Sequence, residues 1–230
     1  MATPPTARIR GDQYRIIATQ HPPISIFEKH VPAAMLDALY ALEAETNPRL
    51  LQEAGDLKLV MPDDRVSGPG ASIVMASFTH IGRATRFSDG SYGVYYAGRK
   101  IETAVRETVH HRNIIAQDAR LSPTEFSMRV WIGTVQKALH DIRGEGYEHL
   151  HDSAPRPEQH PEAQAFGKIM RQQESWGLLY RSVHHNGGEC VAAFRPPAVS
   201  LPMQGRHLVY VWNGEKIAEV YERSETLYSF

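Results

Sequence analysis

Residues 125–135 alternate Phe126, Met128, Val130 and Ile132 with polar neighbours, the period-two pattern of a strand with one buried face. Residues 101–112 carry Ile101, Ala104, Val105 and Thr108 at helical spacing and predict a helix. Before these, residues 12–17 read as a first strand, ended by His21-Pro22-Pro23. Pro32 opens a helix bearing Met35, Leu36, Leu39 and Leu42, and Asn47-Pro48 stops it, because the residue before proline avoids the helical region. Residues 57–61 predict a short strand and Ser67-Gly68-Pro69-Gly70 a loop, while Ile73 to Phe78 suits helix or strand equally. Tyr92 to Ala97 predicts a strand, 144–161 a long loop, then a helix to about Trp176 and strands at 178–183 and 190–194. His207–Trp212 and Glu215–Tyr221 flank Asn213-Gly214, the favoured type I′ hairpin turn. Strands outnumber helices without regular alternation, which argues for a single α+β domain over a doubly wound sheet.

Composition narrows this little. A chain of 230 residues with 42% apolar and 22% charged residues is an ordinary globular one, long enough for one good core. A net charge of −1 without basic runs gives no field for direct nucleic-acid binding. No apolar run reaches membrane-span length, and Met-Ala-Thr-Pro-Pro-Thr lacks a signal-peptide pattern, so a cytoplasmic protein off the membrane is expected. Cys190 is the only cysteine, which excludes an internal disulfide and fits a reducing compartment. Its run Cys190-Val191-Ala192-Ala193-Phe194 predicts a buried structural thiol.

Several chemistries are missing. There is neither a P-loop nor a Gly-x-Gly-x-x-Gly, so a bound dinucleotide would sit without a Rossmann unit. His149-x-His151-Asp152 and Glu107-x-x-His110-His111 have spacings used by metal sites, but neither set is completed, and no metal is expected. His184-His185 belongs to a turn with Asn186-Gly187-Gly188. No Gly-x-Ser-x-Gly occurs, and Ser182 with His184 lacks a third triad member.

The informative stretch is Arg86 to Gly98 followed by Glu107. Arginine's rigid fork suits phosphate oxygens, an aromatic face holds a flat ring, and a carboxylate steadies a ribose cation. Those are the residue types needed to open the nicotinamide–ribose bond of NAD. Glu107 falls among Ala104, Val105 and Thr108, where a stray carboxylate is costly, and Tyr95-Tyr96 sits in a strand bounded by glycines.

The ordered set Tyr14-Arg15, Thr85-Arg86-Phe87-Ser88-Asp89-Gly90, Val94-Tyr95-Tyr96-Ala97, Thr103-Ala104-Val105-Arg106-Glu107-Thr108 and Tyr180-Arg181-Ser182-Val183, followed by Gly187-Gly188 and the Cys190–Phe194 strand, resembles the RES domain, the toxin half of RES–Xre toxin–antitoxin modules. The turn reads Arg-Phe-Ser where many members have Arg-Trp-Asn, and Ala163 precedes Gln164 where some have Ser, which makes Ser182 the candidate for the family serine. The resemblance implies an ADP-ribosyltransferase-like fold of mixed or antiparallel sheets flanked by helices. Its core would run from about 12 to 195, with an insert from about 18 to 76 and an added hairpin at 205–222. It implies NAD as substrate, without a metal. Arg15, Tyr14, Arg86, Ser88, Tyr96 and Glu107 would bind it, and Glu107, Arg86 and Ser182 would be catalytic. It implies an Xre-type helix-turn-helix antitoxin in a hetero-oligomer and a protein acceptor of ADP-ribose. Alternatives are an NAD glycohydrolase or phosphorylase, and a non-enzymatic nucleotide-binding module.

Overall fold

The computed structural model describes residues 3–20, 24–32, 35–46, 53–154 and 156–223. Its strands are β1 (Thr6–Ala7), β2 (Asp12–Ala18), β3 (Tyr95–Gly98), β4 (Thr124–Thr134), β5 (Leu139–Asp141), β6 (Gly177–Arg181), β7 (Glu189–Ala193), β8 (Met203–Trp212) and β9 (Ile217–Glu222). They join in one sheet, in the order β1-β5-β6-β7-β3-β2-β4-β8-β9. Every junction is antiparallel except β5 beside β6. The expected α+β domain with a mixed sheet is what forms. The helices are α1 (Ser25–Glu28), α2 (Leu36–Thr46), α3 (Ala71–Thr79), α4 (Ile101–Asp118) and α5 (Pro161–Gln172). Among the described residues no helix is long and apolar enough to cross a membrane.

The sheet has a seam at its centre. β2 pairs with β4 along its whole length, from Asp12↔Thr134 to Ala18↔Met128, but touches β3 only at Tyr14↔Gly98. Residues paired in register project to the same side of a sheet. The row Tyr14↔Gly98↔Cys190↔Tyr180 therefore lies on one face, across β2, β3, β7 and β6. α4 covers this face over β2, β4 and β8, packing on Ile16, Met128, Val130, Leu208 and Tyr210. α5 covers it over β6 and β7, with Phe166 and Met170 against Leu178, Tyr180 and Ala192. The opposite face buries Tyr95, Leu179 and Val191 under Phe27, Leu36, Val74 and Met75 of α1–α3.

Local chemistry explains where the structure departs from the sequence pattern. Ile73 to Phe78 lies in α3, which buries Ala71, Ser72, Ile73, Val74, Met75 and Phe78; a helix apolar on nearly every side has no readable period. The Glu28 carboxylate starts it, accepting from the amides of Gly70 (2.7 Å) and Ser72 (3.0 Å). The expected strand at 57–61 is a 3-10 turn, Leu57–Leu59, opened by Asp56, whose side chain accepts from Lys58 N at 3.0 Å. α2 begins at Leu36 rather than Pro32; Leu36 is buried, whereas Met35 and Leu42 of the expected apolar face are 58% and 64% exposed. Tyr92 belongs to a turn, not to β3: its hydroxyl donates to Phe87 O (2.5 Å) and its carbonyl accepts from Ser88 Oγ (2.6 Å). The terminal hairpin forms without a type I′ turn. Asn213 Oδ1 accepts from the amides of Glu215 and Lys216, and only Gly214 takes a positive φ, whereas type I′ needs two such residues. The stop signals at His21-Pro22-Pro23 and Asn47-Pro48 lie outside the described residues.

Candidate active site

A cavity of about 270 Å³ opens above the seam, between α4 and the turn that carries Arg86. Tyr14, Gly98, Cys190 and Tyr180, the registered row, all line it. Gly98 is required there: a Cβ would stand 2.6 Å from Ala104 N, so only a glycine lets the first turn of α4 settle on the sheet. That approach carries Glu107 to the cavity wall.

Glu107 accepts a short hydrogen bond at Oε1 from the hydroxyl of Ser182, which stands immediately after β6. Its other oxygen, Oε2, takes no hydrogen bond from a described residue. Ser182 is saturated. Its hydroxyl has one proton, given to Glu107, and its oxygen accepts from the amides of His184 (3.3 Å) and His185 (3.0 Å). The serine thus orients the carboxylate, and in this arrangement it has no bond left for a ligand.

Arg86 lines the cavity and gives Nη1 to the carbonyls of Leu150 (3.3 Å) and Asp152 (3.1 Å). No described residue accepts from its Nε–Nη2 edge, the edge that grips phosphate side-on. Arg15, one residue on from Tyr14, turns to the other face of the sheet, where Tyr95 lies, and borders the cavity only at the seam between β2 and β3. Its guanidinium lies 4.5 Å from the centre of the Tyr95 ring and donates from Nη1 to Tyr96 O at 3.1 Å. Burial lowers its pKa. Tyr96 lines the cavity with its hydroxyl committed to the Arg86 turn, 2.9 Å from Thr85 Oγ1 and accepting from Phe87 N at 3.0 Å. Burial pushes that phenol up to about 12. Tyr14 is in the floor row. Ser88 is placed otherwise than the resemblance implies: it is fully buried, bonded to Tyr92 O and Gly90 N, and it braces the turn instead of lining the cavity.

Sequence reasoning missed part of the wall. Tyr180, on β6, reaches the cavity side through the registered row with Cys190. His110 and His111 follow Glu107 by three and four residues, about one helical turn, a spacing that by itself completes no metal set. They and His184 line the same cavity, His110 stacked on His184 with ring centres 3.8 Å apart. Among the described residues no group of three or more His, Cys, Asp and Glu side chains could hold a metal ion. Cys190 is buried as expected, and burial followed by the Glu107 charge raises its pKa well above the thiol range.

Burial lowers His111 to about 4, with His110, His184 and Arg86 adding to the effect and Glu107 opposing it. Above the ordinary value of 6.5 the ring is neutral both folded and unfolded. Below that pH the unfolded chain takes a proton that the folded one refuses, so stability is lost from about 6.5 down to about 4. His184, lowered to about 4 mainly by burial, acts in the same window. Thermal unfolding should therefore show the melting temperature falling over this range. His111 keeps an exposed ring edge, so solvent screens part of the effect, and His111→Gln should flatten only part of the fall.

The uncharacterized protein y4oC of Sinorhizobium fredii (strain NBRC 101917 / NGR234) is 26% identical over 214 residues, covering 93% of this chain and 88% of its own. The crystal structure of the M. tuberculosis MbcT–MbcA toxin–antitoxin complex contains a chain that is 14% identical, with a TM-score of 0.37 over 52% of this chain and 69% of that one. The RES domain model matches residues 63–213, more than half of the chain, taking in Arg86, Tyr96, Glu107 and Ser182 and leaving Tyr14 and Arg15 outside. The chain belongs to the RES domain family.

Proposed function

We propose that this protein is the NAD-consuming toxin of a bacterial toxin–antitoxin pair, which cleaves the nicotinamide–ribose bond and transfers ADP-ribose to a protein. The observation that carries this reading is the Glu107 carboxylate, oriented by Ser182 in a cavity that also presents Arg86, Arg15 and the rings of Tyr14 and Tyr96. The two guanidinium groups would draw the pyrophosphate, and the tyrosine rings would flank the nicotinamide. Nicotinamide leaves with the electron pair of the C1′–N bond and so becomes neutral. Glu107 faces the positive ribose that remains, and the incoming nucleophile adds at C1′ and releases its proton. No step needs a metal.

A protein acceptor is favoured over water or phosphate because the 205–222 hairpin, whose second strand is mostly exposed, adds surface beyond the cavity on which a protein can dock. Membership of the RES family supports an antitoxin partner of the Xre helix-turn-helix type, which would also do the DNA binding that a net charge of −1 disfavours here. Incubation of the purified protein with NAD labelled in the ADP-ribose portion, with and without cell lysate, tests the reading. Label on a discrete protein band supports transfer, and free ADP-ribose alone reassigns the chain as a hydrolase. No nicotinamide release under any condition would sink the enzymatic reading.

Arg86→Lys keeps the charge but loses the planar fork. NAD affinity measured by calorimetry should drop about tenfold. Unchanged affinity would place the phosphates elsewhere in the cavity.

A further inference from the structure

We propose that the stacked imidazoles of His110 and His184 are a positioning pair for Glu107, pinning the turn that carries Ser182 against α4 so that the serine hydroxyl stays on the carboxylate. The inference rests on the reading of Glu107 as the catalytic carboxylate. The turn between β6 and β7 meets α4 at Thr103, Glu107 and His110, residues four and three apart and so on one face of the helix. At Thr103 the hydroxyl is 2.8 Å from His185 Nδ1. At Glu107 the contact is the Ser182 hydroxyl. At His110 the contact is the ring of His184, centre to centre 3.8 Å with the planes 20° apart.

The carboxylate is thus bracketed. His185 anchors the turn on one side of it and the His184 ring on the other. The bracket matters because Ser182 has no freedom to adapt. Both of its acceptor positions are held by amides of its own turn, so the direction of its one proton follows the turn as a rigid body. A turn held only at His185 could pivot, and a shift of about 1 Å is enough to break an oriented hydrogen bond. The turn is closed on itself by Ser182 N to Gly188 O (2.9 Å) and Gly188 N to His185 O (2.8 Å), so it moves as one piece and its placement depends on the contacts with α4. A flat contact without charge suits this place. His184 faces His110, Arg86 and His160, and burial together with these neighbours keeps its ring neutral.

The claim separates ring shape from proton chemistry, and nicotinamide release by the full chain tests it. His184→Ala and His110→Ala, made from opposite sides of the stack, should each lower kcat about tenfold and leave KM for NAD within about twofold. His184→Phe, which keeps a stacked ring but has no titratable nitrogen, should recover kcat to within about threefold of the parent. A Phe variant as poor as the Ala variant, or an Ala variant with the parental kcat, overturns the proposal. Hydrogen exchange gives a readout that does not depend on turnover. The amides of His184 and His185 should exchange about tenfold faster in both Ala variants than in the parent or His184→Phe. Unchanged exchange overturns the clamp itself. A parent protein that never releases nicotinamide, yet shows this exchange pattern, would remove the catalytic reading and leave the clamp standing.

Discussion

On the proposed mechanism Glu107→Gln should reduce nicotinamide release about a thousandfold and leave NAD affinity within about threefold of the parent. A carboxylate about 4 Å from a developing unit charge, at an effective dielectric near 20, contributes about 4 kcal/mol, which is about three decades in rate. The amide has the same shape and can still accept the Ser182 hydroxyl, so what is lost is charge. The other fixed charges on the cavity wall, Arg86 and Arg15, are positive and can only oppose a ribose cation. Nicotinamide release at saturating NAD, with binding and melting temperature measured on the same sample, decides the matter. Near-parental turnover would remove Glu107 from the mechanism. A large drop in melting temperature with proportionate loss of binding would mark it as structural. In cells the parent chain should arrest growth, the variant should be harmless, and a co-expressed antitoxin should rescue the parent.

Gly167→Ala should destabilise the protein by about 2–3 kcal/mol, a fall of roughly 5–10 °C in melting temperature for a chain of this size. Helix propensity alone argues the reverse, since alanine gains about 1 kcal/mol over glycine inside a helix. The added Cβ would stand 2.2 Å from Phe87 O and 3.0 Å from the Phe87 Cβ. Neither can retreat. Phe87 is fully buried, edge-on to Tyr180 with ring centres 5.0 Å apart, and its carbonyl already takes the Tyr92 hydroxyl. α5 would have to lift from the turn that holds Arg86 and Tyr96, so NAD binding should weaken as well. Gly144→Ala is the control, with no atom within 4 Å of the new methyl and no positive φ at the site. Equal melting temperatures for the parent and Gly167→Ala would contradict the packing argument.

The composition of the site was legible in the chain. Arg86, Tyr96 and Glu107 were readable because each violates a local rule or serves a known chemistry: a carboxylate among apolar helix positions, an aromatic between strand glycines, an arginine in a tight turn. β4 was readable because its apolar positions alternate with polar ones, which prints a period of two, and the terminal hairpin because Asn213-Gly214 marks a turn between two strand-like runs, although β9 buries only Ile217. α3 was not, because it is buried on nearly every side and burial erases the period. Nor was the 3-10 turn at Leu57–Leu59, where one Asp56 side-chain bond outweighs a run of strand-like residues.

Which residues meet was decided by tertiary structure alone. The sequence makes Ser182 the better candidate for the family serine but leaves Ser88 open as a donor beside it. The fold buries Ser88 in its own turn and sets Ser182 on Glu107 from 75 residues away. The row from Tyr14 to Tyr180 comes from strand register, which depends on pairings between segments far apart in the chain. The His110–His184 stack depends on how closely α4 settles on the sheet, an approach that the missing Cβ at Gly98 permits. Local pattern determines which face of each element is buried. Relative placement follows from close packing between elements, where a single methyl group or a one-residue change of register moves every contact.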